Sequence, residues 1–202
     1  MDRKSLRNTI SIIKNKNMKL KTGVSLYIVL ICLIVTGCSQ VEPQDKNKEL
    51  IQDFLEYELN APNKEATHAI NALDKWVEEQ KEGGQYPLDG EYNIYLKDTY
   101  EPYFTDSGYN KFVMTGQASL FHEAANKYDY QTTVTKIEVE QNKVTPTNYN
   151  FTAYIDYEKK GNEKINVEIT GVAIMRDDGI EQLTYLGDKE MLITLTRGEA
   201  NE

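Results

Sequence analysis

The sequence predicts an α+β fold in which helices come first and then pack on a curved antiparallel sheet. Two observations carry this reading. Between residues 49 and 127, apolar side chains recur at spacings of three and four, the period of an amphipathic helix. From Tyr130 onward the period falls to two, with one polar side to each run, as in antiparallel strands covered on a single face.

The first helix is expected over 49–59, with Leu50, Ile51, Phe54, Leu55 and Leu59 on one stripe. Asn60-Ala61-Pro62 ends it, because proline cannot continue the hydrogen-bond ladder. A second helix is expected over 63–81, striped by Ala66, Ala69, Ile70, Leu73, Trp76 and Val77 and stopped by Gly83-Gly84. The third, over 91–101, turns Tyr92, Tyr95, Leu96 and Tyr100 inward until Pro102 interrupts it. Thr105 or Asp106 caps a short helix carrying Tyr109, Phe112 and Val113, which Gly116 closes. A last short helix is expected around 119–127.

Strands follow. Ile137 and Val139 share one side of 130–140. Tyr149, Phe151, Ala153, Ile155 and Tyr157 alternate with polar residues, and Ile165, Val167, Ile169, Gly171, Ala173 and Met175 form the next inward series. Lys159-Lys160-Gly161-Asn162 and Asp177-Asp178-Gly179 read as hairpin turns. Segments 180–186 and 191–196 are expected to complete the sheet.

Helices followed by a long-hairpin meander, with the helix-break-helix run Tyr100-Glu101-Pro102-Tyr103-Phe104-Thr105-Asp106-Ser107-Gly108-Tyr109, resemble the nuclear-transport-factor-two-like, or SnoaL-like, cone fold. The resemblance implies a cone-shaped sheet curled around the helices. It leaves function open, since one fold hosts enzymes, binding proteins and accessory domains alike.

The first 37 residues have another character. Basic residues precede the apolar run 24–35, and small residues then precede Cys38, the order of an export signal. Val35-Thr36-Gly37-Cys38 resembles the lipobox of bacterial lipoproteins, with valine where leucine is commonest. The resemblance implies cleavage between Gly37 and Cys38 and a diacylglycerol on the Cys38 sulfur. The protein would then sit on the outer face of the cell membrane, as a Gram-positive-type lipoprotein. A spanning helix needs about 20 apolar residues, more than this run supplies. A diacylglyceryl group brings the paired chains that stable anchoring takes. Met18-Lys19-Leu20-Lys21 would make a compact basic start by itself, and either start exports the same mature protein. The expected organisation is a signal over 1–37, a tether over 38–47 and a single α+β domain over 48–202.

The chain carries 23 basic and 32 acidic residues; seven basic and one acidic precede Cys38, leaving 16 against 31, a formal charge of −15, beyond the signal. Such a surface repels phosphates, so nucleic acid is not an expected partner. Cys32 and Cys38 are the two cysteines and both fall in the signal region. The domain therefore has no disulfide, no thiol nucleophile and no cysteine metal site, and burial must hold it together.

His122-Glu123-Ala124-Ala125-Asn126 falls short of the two-histidine zinc helix, because Asn126 stands where the second imidazole is needed. His68 belongs to another helix, on its exposed side. No metal and no cofactor are expected. Acid–base chemistry inside a cone usually needs an Asp, His or Tyr facing inward; the inward strand series hold no acidic residue and no His–Asp dyad can be assigned, so binding ranks ahead of catalysis. Trp76, Tyr92, Tyr95, Tyr100 and Phe151 are the candidate lining of a pocket for an apolar or sugar-like ligand; their helical spacing favours the plainer reading, that the aromatics, Trp76 among them, fill the helix–sheet core. The functional expectation is a lipid-anchored, non-catalytic accessory module that meets an envelope protein. The alternatives are a small-ligand binder with an aromatic pocket, and a cone-fold hydrolase or isomerase.

Overall fold

The computed structural model describes residues 45–80 and 84–198. Gly37, Cys38 and the signal lie outside the described residues. Asp45 opens helix α1 (Lys46–Leu59), its carboxylate accepting from the Asn47 and Lys48 amides at 3.1 and 3.4 Å. Asn63 caps α2 (Lys64–Glu79) by accepting from the Ala66 amide at 2.8 Å. Helix α3 (Glu91–Tyr100) runs into a 3-10 turn, Glu101–Tyr103, that accommodates Pro102. Thr105 caps α4 (Asp106–Met114) through the Gly108 amide at 2.9 Å, and α5 (Leu120–Tyr128) follows Ser119. All five stand where the apolar period places them.

Strands β1 (Tyr130–Gln141), β2 (Asn148–Lys159), β3 (Ile165–Arg176) and β4 (Gly179–Leu186) form one antiparallel meander in chain order. The five alternating residues from Tyr149 to Tyr157 are all buried, as the period of two requires. Asp177 and Asp178 join β3 to β4 with φ of +49° and +64°, the positive pair of a hairpin turn whose twist matches its strands. Val139, Phe151, Gly171 and Tyr185 pair across the four strands. A Cβ on Gly171 would lie 2.2 Å from Phe151 Cζ. Only glycine lets that ring cross β3 toward Tyr185, 5.9 Å away between centroids.

Residues 191–196 are not a strand. They belong to α6 (Lys189–Arg197), capped by Asp188 through the Glu190 and Met191 amides. Leu195 is fully buried, and Met191 and Leu192 pack beside it at helical spacing. The β-branched Ile193, Thr194 and Thr196 give this helix its strand-like composition. The Tyr130 hydroxyl donates to the Leu195 carbonyl and ties α6 to the start of β1.

Both ends of α1 are fixed to the sheet. Thr132 donates its hydroxyl to the Leu59 carbonyl at 2.7 Å and accepts from the Ala61 amide at 3.1 Å, while the Val134 amide reaches Asn60 Oδ1 at 2.8 Å. At the other end, Asn47 and Gln141 donate to the Tyr149 hydroxyl at 3.2 and 3.1 Å. Between them Phe54 meets Tyr103, Phe104 and Phe112 edge-on, with centroids 5.7, 5.3 and 5.7 Å away. Among the described residues no helix is long and apolar enough to cross a membrane.

Candidate functional site

Ile51, Leu55 and Glu58 follow one another on α1 at spacings of four and three, so the face that buries its aliphatic side chains also buries a carboxyl. Glu58 is fully buried, and its Oε2 accepts from the Tyr100 hydroxyl at 2.6 Å. Burial raises its pKa from 4.5 to about 8; the Tyr100 hydrogen bond and the Phe121 amide pull it down, and Glu123 pushes it up. Retaining the proton that far weighs about 5 kcal/mol against the ionised form. At pH 7 Glu58 is a neutral carboxylic acid.

Tyr100 is the junction of the network. It accepts from the Ser119 amide at 3.0 Å and lies 3.4 Å from the Tyr95 hydroxyl, to which Tyr57 donates at 3.1 Å. Burial pushes Tyr95 and Tyr100 well above the usual phenol range, so both stay protonated donors. The phenols form an unbroken line from Glu58 to Tyr57. Tyr57 in turn stands in the wall of an open cleft of about 600 Å³, with Asp53, Glu56, Asn60, Asn63 and Lys64. A second branch leaves through Ser119, whose Oγ is 2.9 Å from the Tyr92 hydroxyl; Tyr92 donates to Glu123 at 2.7 Å.

His122 is fully buried and lies edge-on to the Tyr57 ring, with centroids 5.4 Å apart. Asn63 dictates its tautomer. The Asn63 carbonyl oxygen is committed to the α2 cap, which leaves its amide nitrogen facing His122 Nε2 at 3.4 Å. An amide nitrogen only donates, so Nε2 must accept and the proton belongs on Nδ1. Burial lowers the His122 pKa from 6.5 to about 4, against the Tyr57 carbonyl, which raises it.

Among the described residues, Glu58 Oε1, His122 Nδ1 and the Tyr185 hydroxyl are buried without a hydrogen-bond partner. The Phe121 amide and the Tyr57 carbonyl influence the first two without completing a bond to those atoms. Tyr185 packs edge-on against Phe121 at 5.2 Å, and burial and then the charge of Glu58 push its hydroxyl far up. Each unpaired buried group costs roughly 1–3 kcal/mol. Three of them in one small core serve stability poorly.

Of the pocket residues expected from sequence, Tyr95, Tyr100 and Phe151 are in the core, and Tyr92 is half-buried at the Glu123 end of the network. Trp76 is apart from them: it is half-buried and edge-on to Tyr86 at 5.2 Å, in a hollow of the α2–α3 surface. His68 is exposed. The expectation of no inward acid concerns the strand series alone and says nothing of the helices, from which the interior Glu58 and His122 come. The spacing of Glu58 from Leu55 and Ile51 is the signal that finds it; a stripe read for apolar residues alone passes over it. Among the described residues no cluster of histidine, cysteine or carboxylate side chains is arranged to hold a metal ion.

No protein-family model and no curated protein matches the chain. Solved structures do align with it. TraH, a transfer protein of the Gram-positive conjugative plasmid pIP501, shares 16% identity over 73% of this chain and 96% of its own, with a TM-score of 0.42. A SnoaL-like protein from Jannaschia sp. CCS1, described as a polyketide cyclase, shares 12% identity over 81% of this chain and 100% of its own, at 0.39. A protein from Xanthomonas campestris pv. campestris, also described as a polyketide cyclase, shares 14% identity over 65% and 96%, at 0.33. These are likenesses of architecture, and at such scores they carry nothing about chemistry.

Proposed function

We propose that this chain is a lipoprotein anchored through Cys38 to the outer face of the cell membrane, and that its domain binds a small hydrogen-bonding ligand at the Tyr57 cleft. The line of phenols from that cleft to the neutral acid Glu58 is the observation that carries the binding reading. A buried acid joined by phenols to an open cleft fits a ligand site better than a surface that only docks on an envelope protein, so the ligand reading ranks ahead of the protein-partner reading. The basic-apolar-small order before Cys38 supports the anchor.

Two experiments test the two halves. Cys38→Ser should move the protein from the membrane to the soluble fraction; unchanged fractionation overturns the anchor. A thermal-shift screen of small polar compounds on that soluble variant should find one that raises Tm, since ligand at 100 times Kd adds about 2.7 kcal/mol. Tyr57→Phe should weaken it. A screen without a hit, or a hit indifferent to Tyr57, defeats the binding reading.

One observation favours a second reading, proton transfer. Glu58 and His122 have their pKa values pushed in opposite directions, to about 8 and about 4, which separates an acid from a base at neutral pH. Glu58 would donate, and His122 Nε2 would take a proton only by giving up its hydrogen bond from Asn63. In that case turnover falls as pH rises through 8, and Glu58→Gln abolishes it.

A further inference from the structure

We propose a second and separate site: the hollow between α2 and α3, walled by Trp76 and Tyr86, binds an uncharged pyranose sugar. The hollow has a volume of about 540 Å³ and shares no lining residue with the Tyr57 cleft. Trp76 and Tyr86 meet at 88° with centroids 5.2 Å apart, so they form two aromatic walls at a right angle. Tyr86 is held in place before any ligand arrives. Its hydroxyl accepts from the Tyr92 amide at 3.2 Å, and its ring occupies the space a Cβ on Gly90 would need, 2.4 Å from Cε1. A tryptophan that served packing alone would belong with the buried core of Phe54 and Tyr100; this one stays half-buried at the surface.

The rim decides the ligand. Asn71, His68, Lys75, Glu79 and Glu91 surround the rings with hydrogen-bonding groups. Lys75 is 4.0 Å from Glu79, and His68 Nε2 is 3.5 Å from Glu91, a contact that is an ion pair only with a protonated ring. An aromatic wall beside a rim of amide, imidazole, amine and carboxylate groups suits a molecule with one apolar face and an edge of hydroxyls, and a pyranose ring has that shape. An organic cation would also find π-faces there, but it would meet the Lys75 ammonium at the rim.

Trp76 is the only tryptophan of the chain, so its fluorescence reports this site directly. Titrating the soluble Cys38→Ser protein with cellotriose, maltotriose and tri-N-acetylchitotriose should give a saturable change in emission with at least one of them. Tyr86→Ala should weaken that binding roughly tenfold. Asn71→Arg, an exposed substitution that leaves the helix intact, should block it by filling the rim, and it keeps the test alive if Tyr86→Ala unfolds. Glu58→Gln should bind equally well, which separates this site from the Tyr57 cleft. The proposal is overturned if none of the three sugars gives a saturable change, if choline responds where they do not, or if Glu58→Gln abolishes binding while Asn71→Arg leaves it intact.

Discussion

The buried face of the sheet and the buried faces of the helices put different chemistry into the same core. From β2 and β3 come Phe151, Ala153, Ile155, Val167, Ile169 and Ala173. From the helices and the turn before α5 come Glu58, Ser119 and His122; the sheet adds Thr132, a hydroxyl whose bonds are all made to the α1–α2 turn, and phenols such as Tyr130 and Tyr185, which stay protonated near neutrality. The strands supply a packed wall. The helices supply every buried group that can gain or lose a proton near neutrality, and they alone make the interior respond to pH.

Three substitutions break or sharpen that division. Phe151→Ala on the sheet should cost about 3–5 kcal/mol, by the same amount at low and at high pH, in denaturant melts. A loss that varied with pH would mean that the wall and the titrating groups are one unit. On the helix side the dependence has a definite sign. Glu58 has a raised pKa, so its contribution is full below about 4.5 and is lost as pH rises through 8. His122 has a lowered pKa, so its contribution is full above about 6.5 and is lost as pH falls through 4. The two slopes offset each other between 4.5 and 6.5, and above 6.5 only the loss from Glu58 remains. These two groups together should therefore lower stability by about 1 kcal/mol between pH 6.5 and 8. Glu58→Gln should flatten that limb, and a limb that persists in the variant would assign it to other groups. Asn63→Ala, the smallest of the three, should cost about 1 kcal/mol through the lost α2 cap. It should also raise the His122 pKa measured by NMR, because Nε2 is freed from a donor that only the neutral ring can accept.

How much of this could be read beforehand follows the same division. The β2 alternation from Tyr149 to Tyr157 is a plain signal because every second residue must face the core. Helix α6 is not, because Ile193, Thr194 and Thr196 favour a strand locally while Asp188 and the burial of Leu195 decide for a helix. Tyr95 and Tyr100 are legible as inward aromatics, but the hydroxyl line they form depends on Tyr57 and Ser119, which come from separate elements. Glu58 is marked by its place on the α1 stripe, although composition argues that a glutamate belongs in water. Trp76 shares the period of the α2 stripe, but Ala66, Ala69 and Ile70 already meet the core and leave the end of that helix at the surface.

The junction at Tyr149 has a mechanical consequence. The chain arriving from the N-terminal side meets the domain at Asp45, and within two residues Asn47 is fastened to a hydroxyl on β2. Tension transmitted along that chain is therefore shared with the central strands before it can peel the first turn of α1. Pulled through the proposed Cys38 anchor, the first turn of α1 would yield only after losing its grip on β2.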